Sequence, residues 1–187
     1  AQNGHTATVR ALVQECGADA GAADKDGASP TWIAAQNGHT ETVRALVQEC
    51  GADAGAANKD GNTPLWKAAQ NGHTATVRAL VQECGADAGA ADKDGASPTW
   101  IAAQNGHTET VRALVQECGA DAGAANKDGN TPLWKAAQNG HTATVRALVQ
   151  ECGADAGDAD KDGKSPTWIA AQNGHTATVR ALVQECG

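Results

Sequence analysis

The tetrapeptide Gln-Asn-Gly-His recurs six times along the chain, and its spacing constrains the fold more than any other feature. Its histidines always lie 34 residues apart, at His5, His39, His73, His107, His141 and His175. A fixed period of roughly 20–50 residues is typical of solenoids, propellers and other repeat arrays. Each unit of such an array packs mainly against its two neighbours, so the sequence predicts a row of thin layers.

The composition agrees with this prediction. Among 187 residues there is no Phe, Tyr or Met, and every aromatic side chain belongs to one of five Trp. A compact globule with so few large apolar side chains would struggle to fill its core. A stack needs fewer of them, because each layer buries its faces only against adjacent layers.

The repeat has two alternating versions. One runs Asp24-Lys-Asp-Gly-Ala-Ser-Pro-Thr-Trp-Ile and the other Asn58-Lys-Asp-Gly-Asn-Thr-Pro-Leu-Trp-Lys. Residues 1–89 recur unchanged as 69–157, and the last copy departs at Asp158, Lys164 and Ala177. This uniformity indicates either an engineered array or a recently expanded one, and the sequence does not separate these two origins.

Each unit predicts a short first helix. Ser29 can cap it with its hydroxyl, and Pro30 suits the first helical position, where its missing N–H costs nothing. Asn37-Gly38 ends it after about two turns, because Gly38 can adopt the left-handed conformation that closes a helix. The equivalent starts are Thr63-Pro64, Ser97-Pro98, Thr131-Pro132 and Ser165-Pro166.

A longer second helix is predicted from about Thr40 to Cys50. Val43, Leu46, Val47 and Cys50 form the i, i+3, i+4, i+7 stripe of an amphipathic helix. Gly51 ends it, and the small residues that follow predict a surface loop or a short hairpin before the next turn.

These motifs together resemble those of the ankyrin repeat. Its Thr-Pro-Leu-His motif appears as Thr63-Pro-Leu-Trp66, its Ala-Ala-x-x-Gly-His motif as Ala34-Ala-Gln-Asn-Gly-His39, and its Gly-Ala-Asp motif as Gly51-Ala-Asp53. The resemblance covers essentially the whole chain and implies an all-α solenoid of stacked helix–turn–helix repeats, joined by loops or short β-hairpins. It implies one array over 1–187, with a partial repeat at 1–22 and repeats at 23–56, 57–90, 91–124, 125–158 and 159–187.

The chain departs from the family pattern in two ways. The family repeat has 33 residues, and the extra residue falls within Val47-Gln-Glu-Cys-Gly51, which predicts a second helix lengthened near its end. The longer helix should tilt the stack or change its superhelical twist. Trp66 and its equivalents replace the motif's His, which in the family bonds to neighbouring turns; Trp keeps one donor, the indole N–H.

The recurrent Trp and His residues are interpreted as structural. The Trp column packs between repeats, and the alternative is an aromatic binding strip on the concave face. Each His follows a helix-ending Gly, where its ring can bond to nearby backbone. Equivalent His side chains one layer apart cannot converge on one metal ion, and no repeat combines a nucleophile, a base and an orienting acid. We therefore predict no enzymatic activity, no cofactor and no metal site.

One turn favours a calcium-binding alternative. Asp158-Ala-Asp160-Lys-Asp162-Gly163 copies the opening of a calcium loop, with alternating acids followed by Gly. The closing bidentate Glu is missing, because Ile169 occupies the twelfth position and Pro166 lies inside the loop. A solvated turn is the preferred interpretation.

The resemblance implies a protein-interaction scaffold that binds a protein partner through its turn tips and the concave side of its first helices. The net charge of -8 and the isolated Arg residues argue against nucleic acid, and no apolar run reaches the length of a membrane span. The positions expected to contact a partner hardly vary between repeats. This uniformity favours either a partner that is itself repetitive or the absence of any selected partner. The predicted partner-binding residues are Lys25, Asp26, Ala28, Gln36, Asn37, Lys59, Asp60, Asn62, Lys67, Gln70, Asn71, Lys93, Asp94, Lys127, Asp128 and Lys135.

The six Cys recur once per repeat, which separates them by one layer, about 8–10 Å, too far for a disulfide. We interpret them as small buried apolar residues with free thiols. Free thiols and the lack of a visible targeting segment predict an intracellular, cytoplasmic location.

The two ends of the array lack polar caps. Val9, Leu12 and Val13 at one end, and Val179, Leu182 and Val183 at the other, belong to apolar stripes that expect a neighbour. The prediction is either that a longer parent supplies the caps or that chains stack end to end.

Overall fold

The computed structural model describes residues 1–185 and shows a succession of helix pairs without a strand in that part of the chain. A lone helix α1 (Thr6–Gln14) is followed by five pairs. The first helices of the pairs are α2 (Pro30–Gln36), α4 (Pro64–Gln70), α6 (Pro98–Gln104), α8 (Pro132–Gln138) and α10 (Pro166–Gln172). The second helices begin with α3 (Thr40–Arg44), α5 (Thr74–Arg78), α7 (Thr108–Arg112), α9 (Thr142–Arg146) and α11 (Thr176–Arg180).

The first helices begin and end as the sequence predicts. The Ser29 hydroxyl accepts a hydrogen bond from the Trp32 N–H at 3.1 Å, and Pro30 occupies the first helical position. Beyond Asn37 the chain reverses at Gly38, whose φ of +70° favours glycine. The reversal lets α2 and α3 pack against each other in a single layer.

Each second helix continues into one wide π turn. The turns cover Ala45–Glu49, Ala79–Glu83, Ala113–Glu117, Ala147–Glu151 and Ala181–Glu185. In the first of them the Cys50 N–H donates to the Ala45 carbonyl at 3.0 Å, one residue further back than in an α-helix. The prediction of an extra residue near the end of this helix is confirmed, and a π turn accommodates it. Whether the turn alters the superhelical twist stays a prediction.

The core is a continuous row of small and aliphatic side chains. Ala34 and Ala35 of α2 are fully buried, as are Val43 of α3 and Leu65 of α4. The alanines allow close approach of adjacent first helices. Between the second helices, hydroxyl pairs such as Thr40 Oγ1 and Thr76 Oγ1, 2.8 Å apart, satisfy otherwise buried polar atoms.

Turns between the pairs are held by side-chain-to-backbone hydrogen bonds. Asp24 Oδ1 accepts from the N–H groups of Asp26 and Ala28, both at 2.9 Å. The Lys59 N–H donates to the Asp26 carbonyl at 3.0 Å and ties consecutive turns together. The sequence predicts either loops or short β-hairpins between consecutive repeats. The described residues contain loops and turns there, and no strand-forming hairpin.

Candidate interaction groove

Four Trp side chains are buried between consecutive layers. Trp32 Nε1 donates to the Asn62 carbonyl at 3.1 Å, and Trp66 Nε1 donates to the Ala96 carbonyl at 3.1 Å. Trp100 and Trp134 make the same bond to Asn130 and Lys164, each at 3.0 Å. The preferred interpretation, packing with a satisfied N–H, is confirmed for these four.

Trp168 is the exception, because residues 1–185 contain no layer that follows it. It is 44% exposed, whereas the other four Trp are at most 8% exposed. Lys164 Nζ lies 5.3 Å from the centre of its ring. The burial of the other rings leaves little aromatic surface for the alternative binding strip.

The His column also joins one layer to the next. His73 Nε2 lies 3.0 Å from the Gln36 carbonyl oxygen, and the other described layers repeat this contact. A carbonyl oxygen only accepts, so Nε2 carries the proton and donates. The ring lies against the preceding helix reversal, where a Cβ on Gly38 would be 2.8 Å from His73 Nδ1. This geometry confirms the structural interpretation of His.

Two depressions are lined by residues of the turns and of the first helices. The larger has a volume of about 610 Å³ and spans three consecutive layers. Of the predicted partner-binding residues it brings together Gln70, Asp94, Lys127, Asp128 and Lys135. Its neighbour, of about 560 Å³, shares Asp128 and extends to the last turn.

The lining also includes residues that the sequence analysis did not select. Trp66, Trp100 and Ile101 form apolar parts of the larger depression, and Gln104 and Asn130 add polar groups. Ile101 and Gln104 occupy the positions of Lys67 and Gln70 in another layer. Aligning the repeats would therefore have identified Ile101 and Gln104 as candidates.

Several predicted residues have other roles in the structure. Ala28 is only 7% exposed, so its side chain contributes little to the turn surface, and its role in binding stays a prediction. Asn71 Nδ2 donates to the Gln36 carbonyl at 2.8 Å, and Asn37 Nδ2 donates to the Ile33 carbonyl at 2.8 Å. Asn62 supplies the carbonyl that accepts from Trp32. The remaining exposed turn residues are Lys25, Asp26, Lys59, Asp60, Lys93, Asp94, Lys127 and Asp128.

Lys67 and Lys135 lie across the Trp rings instead of extending into solvent. Lys67 Nζ is 5.1 Å from the Trp32 ring centre and 5.9 Å from that of Trp66. Its ammonium also donates to Gln70 Oε1 at 2.6 Å. Burial lowers the pKa of the Lys67 amine, because a low-dielectric environment disfavours the charged form.

The opposite side carries a ladder of ion pairs between second helices. Arg44 donates through Nε and Nη2 to the two carboxylate oxygens of Glu83, both at 2.7 Å. Arg44 also pairs with Glu41 of its own helix. Among the described residues Arg78 pairs with Glu117 alone, because Ala75 occupies the position equivalent to Glu41. These hydrogen bonds lower the pKa of the Glu83 and Glu117 carboxyls.

The acidic side chains of the last turn interact with groups of the same turn. Asp160 Oδ1 accepts from the N–H groups of Asp162 and Lys164, at 3.0 and 2.9 Å. Asp162 pairs with Lys164 Nζ at 3.1 Å. Within residues 1–185 no three His, Cys, Asp or Glu side chains are grouped to hold a metal ion. Calcium binding stays an untested alternative.

The cysteines are less buried than the sequence analysis predicts. Cys16 is exposed, and Cys50, Cys84, Cys118 and Cys152 are half-buried because they follow the π turn at the layer edge. All five are free thiols, and burial raises the pKa of the last three. Cys186 lies outside the described residues.

The family follows from comparison with known proteins. The model of the family described as ankyrin repeats matches residues 1–92, 77–160 and 99–187. The chain belongs to the ankyrin-repeat family. Members of this family are generally protein-interaction modules, and the stacked pairs of this ankyrin array are the expected architecture. No curated protein matches the sequence. None of the helices in residues 1–185 has the length and apolar character needed to cross a membrane.

Proposed function

We propose that this ankyrin array is a non-catalytic scaffold that binds a protein partner along its concave groove. The larger depression carries the proposal. It is lined by the nearly buried Trp100 and Ile101, which expose little apolar surface, and by charged groups from Asp94, Asp128 and Lys135. A mixed apolar and polar patch of this kind suits a protein surface or a peptide. The free thiols suit a reducing, cytoplasmic environment.

A charge-neutral variant of the turns tests this proposal. Lys59, Lys93, Lys127, Asp60, Asp94 and Asp128 would each be changed to Ser, and the proteins captured from the source cells compared with those of the unchanged chain. We expect the captured partner to be lost. The control is Arg78→Gln with Glu117→Gln, also charge-neutral but on the opposite side. A partner retained by the turn variant and lost by the control contradicts the proposal.

A second candidate function is a structural array that assembles end to end and has no selected partner. Leu12 is 49% exposed and Val183 60% exposed, at opposite ends of the stack. Val9 and Leu182, from the same predicted stripes, are already buried within the chain. Arg180 and Glu15 have the side chains of the ladder but no ion pair within residues 1–185. Continuing the ladder would pair them between chains.

Light scattering of the 187-residue chain over a concentration series tests the assembly. Growth of the apparent mass that is abolished by Leu12→Lys and by Val183→Lys supports end-to-end stacking. A monomer at high concentration contradicts it. Calcium binding at Asp160 is tested by thermal melts with calcium against chelator, where an unchanged melting temperature contradicts binding.

A further inference from the structure

A lysine recurs at one position of the first helix in every second layer, and one of the two, Lys135, lines the larger depression. Lys67 Nζ sits over the rings of Trp32 and Trp66. Lys135 repeats the arrangement two layers on, 5.1 Å from the Trp100 ring centre and 5.9 Å from that of Trp134. The intervening layer has Ile101 at this position, and its side chain is 4% exposed.

Both ammonium groups donate a hydrogen bond to a neutral side-chain oxygen. Lys67 donates to Gln70 Oε1 at 2.6 Å and Lys135 to Gln138 Oε1 at 2.7 Å. The ion pairs of residues 1–185 include neither lysine. Desolvation lowers the pKa of both amines, and at Lys135 the charge of Asp128 opposes part of this effect. A partly desolvated ammonium without an ion-pair partner is costly, so a carboxylate supplied from outside would gain free energy here.

The spacing of the two lysines defines the ligand. Helical layers pack about 8–10 Å apart, so two layers separate the lysines by about 16–20 Å. An extended chain advances about 3.3 Å per residue, so this span corresponds to about five or six residues. The turn of the intervening layer presents Asp92 and Asp94 to the same depression. Those acids would repel a continuous acidic tract.

On the basis of the proposed function, we propose that the partner is an extended peptide segment with two carboxylates about six residues apart, paired to Lys67 and Lys135. Side chains at alternate positions between them face the groove, because successive residues of an extended chain point to opposite sides. The small apolar surface that Ile101, Trp66 and Trp100 expose to the depression favours small apolar residues at these positions.

Synthetic peptides test the spacing directly. The probe is Ser-Gly-Glu-Thr-Val-Thr-Val-Thr-Glu-Gly-Ser, and the control has the same composition with its two Glu separated by a single residue. All aromatic residues of the protein are Trp, so tryptophan fluorescence reports directly on the groove, and calorimetry gives the affinity. We expect the probe to bind about tenfold more tightly than the control peptide.

Protein variants complete the test. Lys67→Gln combined with Lys135→Gln should weaken probe binding about tenfold, equivalent to about 1.4 kcal/mol. Arg10→Gln with Arg78→Gln removes the same charge at two positions that are also two layers apart but lie in the ion-pair ladder on the opposite side, and should leave binding unchanged. Circular dichroism verifies that each variant is folded. Equal affinity for the two peptides, absent probe binding, or equal effects of the two double variants would overturn the inference.

The turn variant described above separates this inference from the proposed function. If captured partners depend on the groove while the probe does not bind, the carboxylate spacing is wrong and the scaffold function stands. If neither the capture of partners nor the binding of the probe peptide depends on the groove, both proposals fail.

Discussion

The indole N–H of Trp66 donates to the carbonyl of Ala96 across 3.1 Å, thirty residues further along the chain. The bond joins a first helix to the turn of the next layer, and it recurs at Trp32, Trp100 and Trp134. Replacing the family's His by Trp therefore preserves an inter-repeat hydrogen bond and adds buried apolar area.

Removing this donor should destabilise the array. Trp66→Phe leaves the Ala96 carbonyl without its partner and also reduces the buried ring, so we expect a loss of about 2–4 kcal/mol. Trp168→Phe is the matched control, because Trp168 is half-exposed and its indole has no acceptor within residues 1–185. Chemical denaturation of both variants measures the difference. Equal losses would show that the inter-layer bond contributes nothing.

A buried hydroxyl group without a hydrogen-bond partner lowers the stability of one layer. Thr99 is fully buried and its Oγ1 has no hydrogen-bond partner. The equivalent residues Leu65 and Leu133 are apolar and equally buried. Thr99→Val should therefore stabilise the chain by about 1 kcal/mol in denaturation experiments. Thr167→Val, at a half-buried equivalent, should change little; destabilisation by Thr99→Val would refute the unsatisfied hydroxyl.

Alanine substitutions at two glycines distinguish the free-energy cost of backbone strain from that of a steric clash. Gly72 and Gly85 have nearly the same φ, +71° and +73°, but a Cβ on Gly72 would lie 2.7 Å from His107 Nδ1, whereas Gly85 has open space. Gly85→Ala should cost about 1–2 kcal/mol through its backbone alone. Gly72→Ala should cost clearly more, because the His107 ring must move and loses its bond to the Gln70 carbonyl. Similar unfolding free energies would argue against this packing.

The ion-pair ladder predicts a pH dependence. Hydrogen bonds from Arg44 lower the pKa of Glu83 from its usual 4.5. The unfolded chain then binds more protons than the folded one in acid, so the stabilisation is complete above the unfolded pKa and is lost as pH falls through the folded pKa. Glu83→Gln should melt below the unchanged chain at neutral pH, with the gap closing in acid. A gap independent of pH, or an equal gap for the unpaired Glu15→Gln, would contradict the ladder's contribution.

Much of the fold could be predicted because its determinants are local. Ser29 and Pro30 start α2 and Gly38 reverses the chain, and these signals need no knowledge of neighbouring layers. The π turn was foreseen as an extra residue, but its hydrogen-bond pattern was not. The repeat boundaries stay a prediction.

The groove was harder to predict, because its chemistry depends on the offset between layers. Lys67 was predicted to contact a partner, and in the structure it lies over Trp32 of the preceding layer. Ala28 adjoins an exposed turn but points into the stack. Local sequence does not specify which side chains of adjacent layers meet, so it predicts candidate positions without their contacts, and their role in binding stays a prediction.

Site-specific photo-crosslinking tests the interaction account most directly. The photoreactive residue p-benzoylphenylalanine would replace Asp94 at the groove in one protein and Ala75, exposed on a second helix, in another. After irradiation in the source cells, we expect a discrete protein adduct from position 94 and none from position 75. An adduct formed at position 75 but not at position 94 would contradict binding through the concave groove.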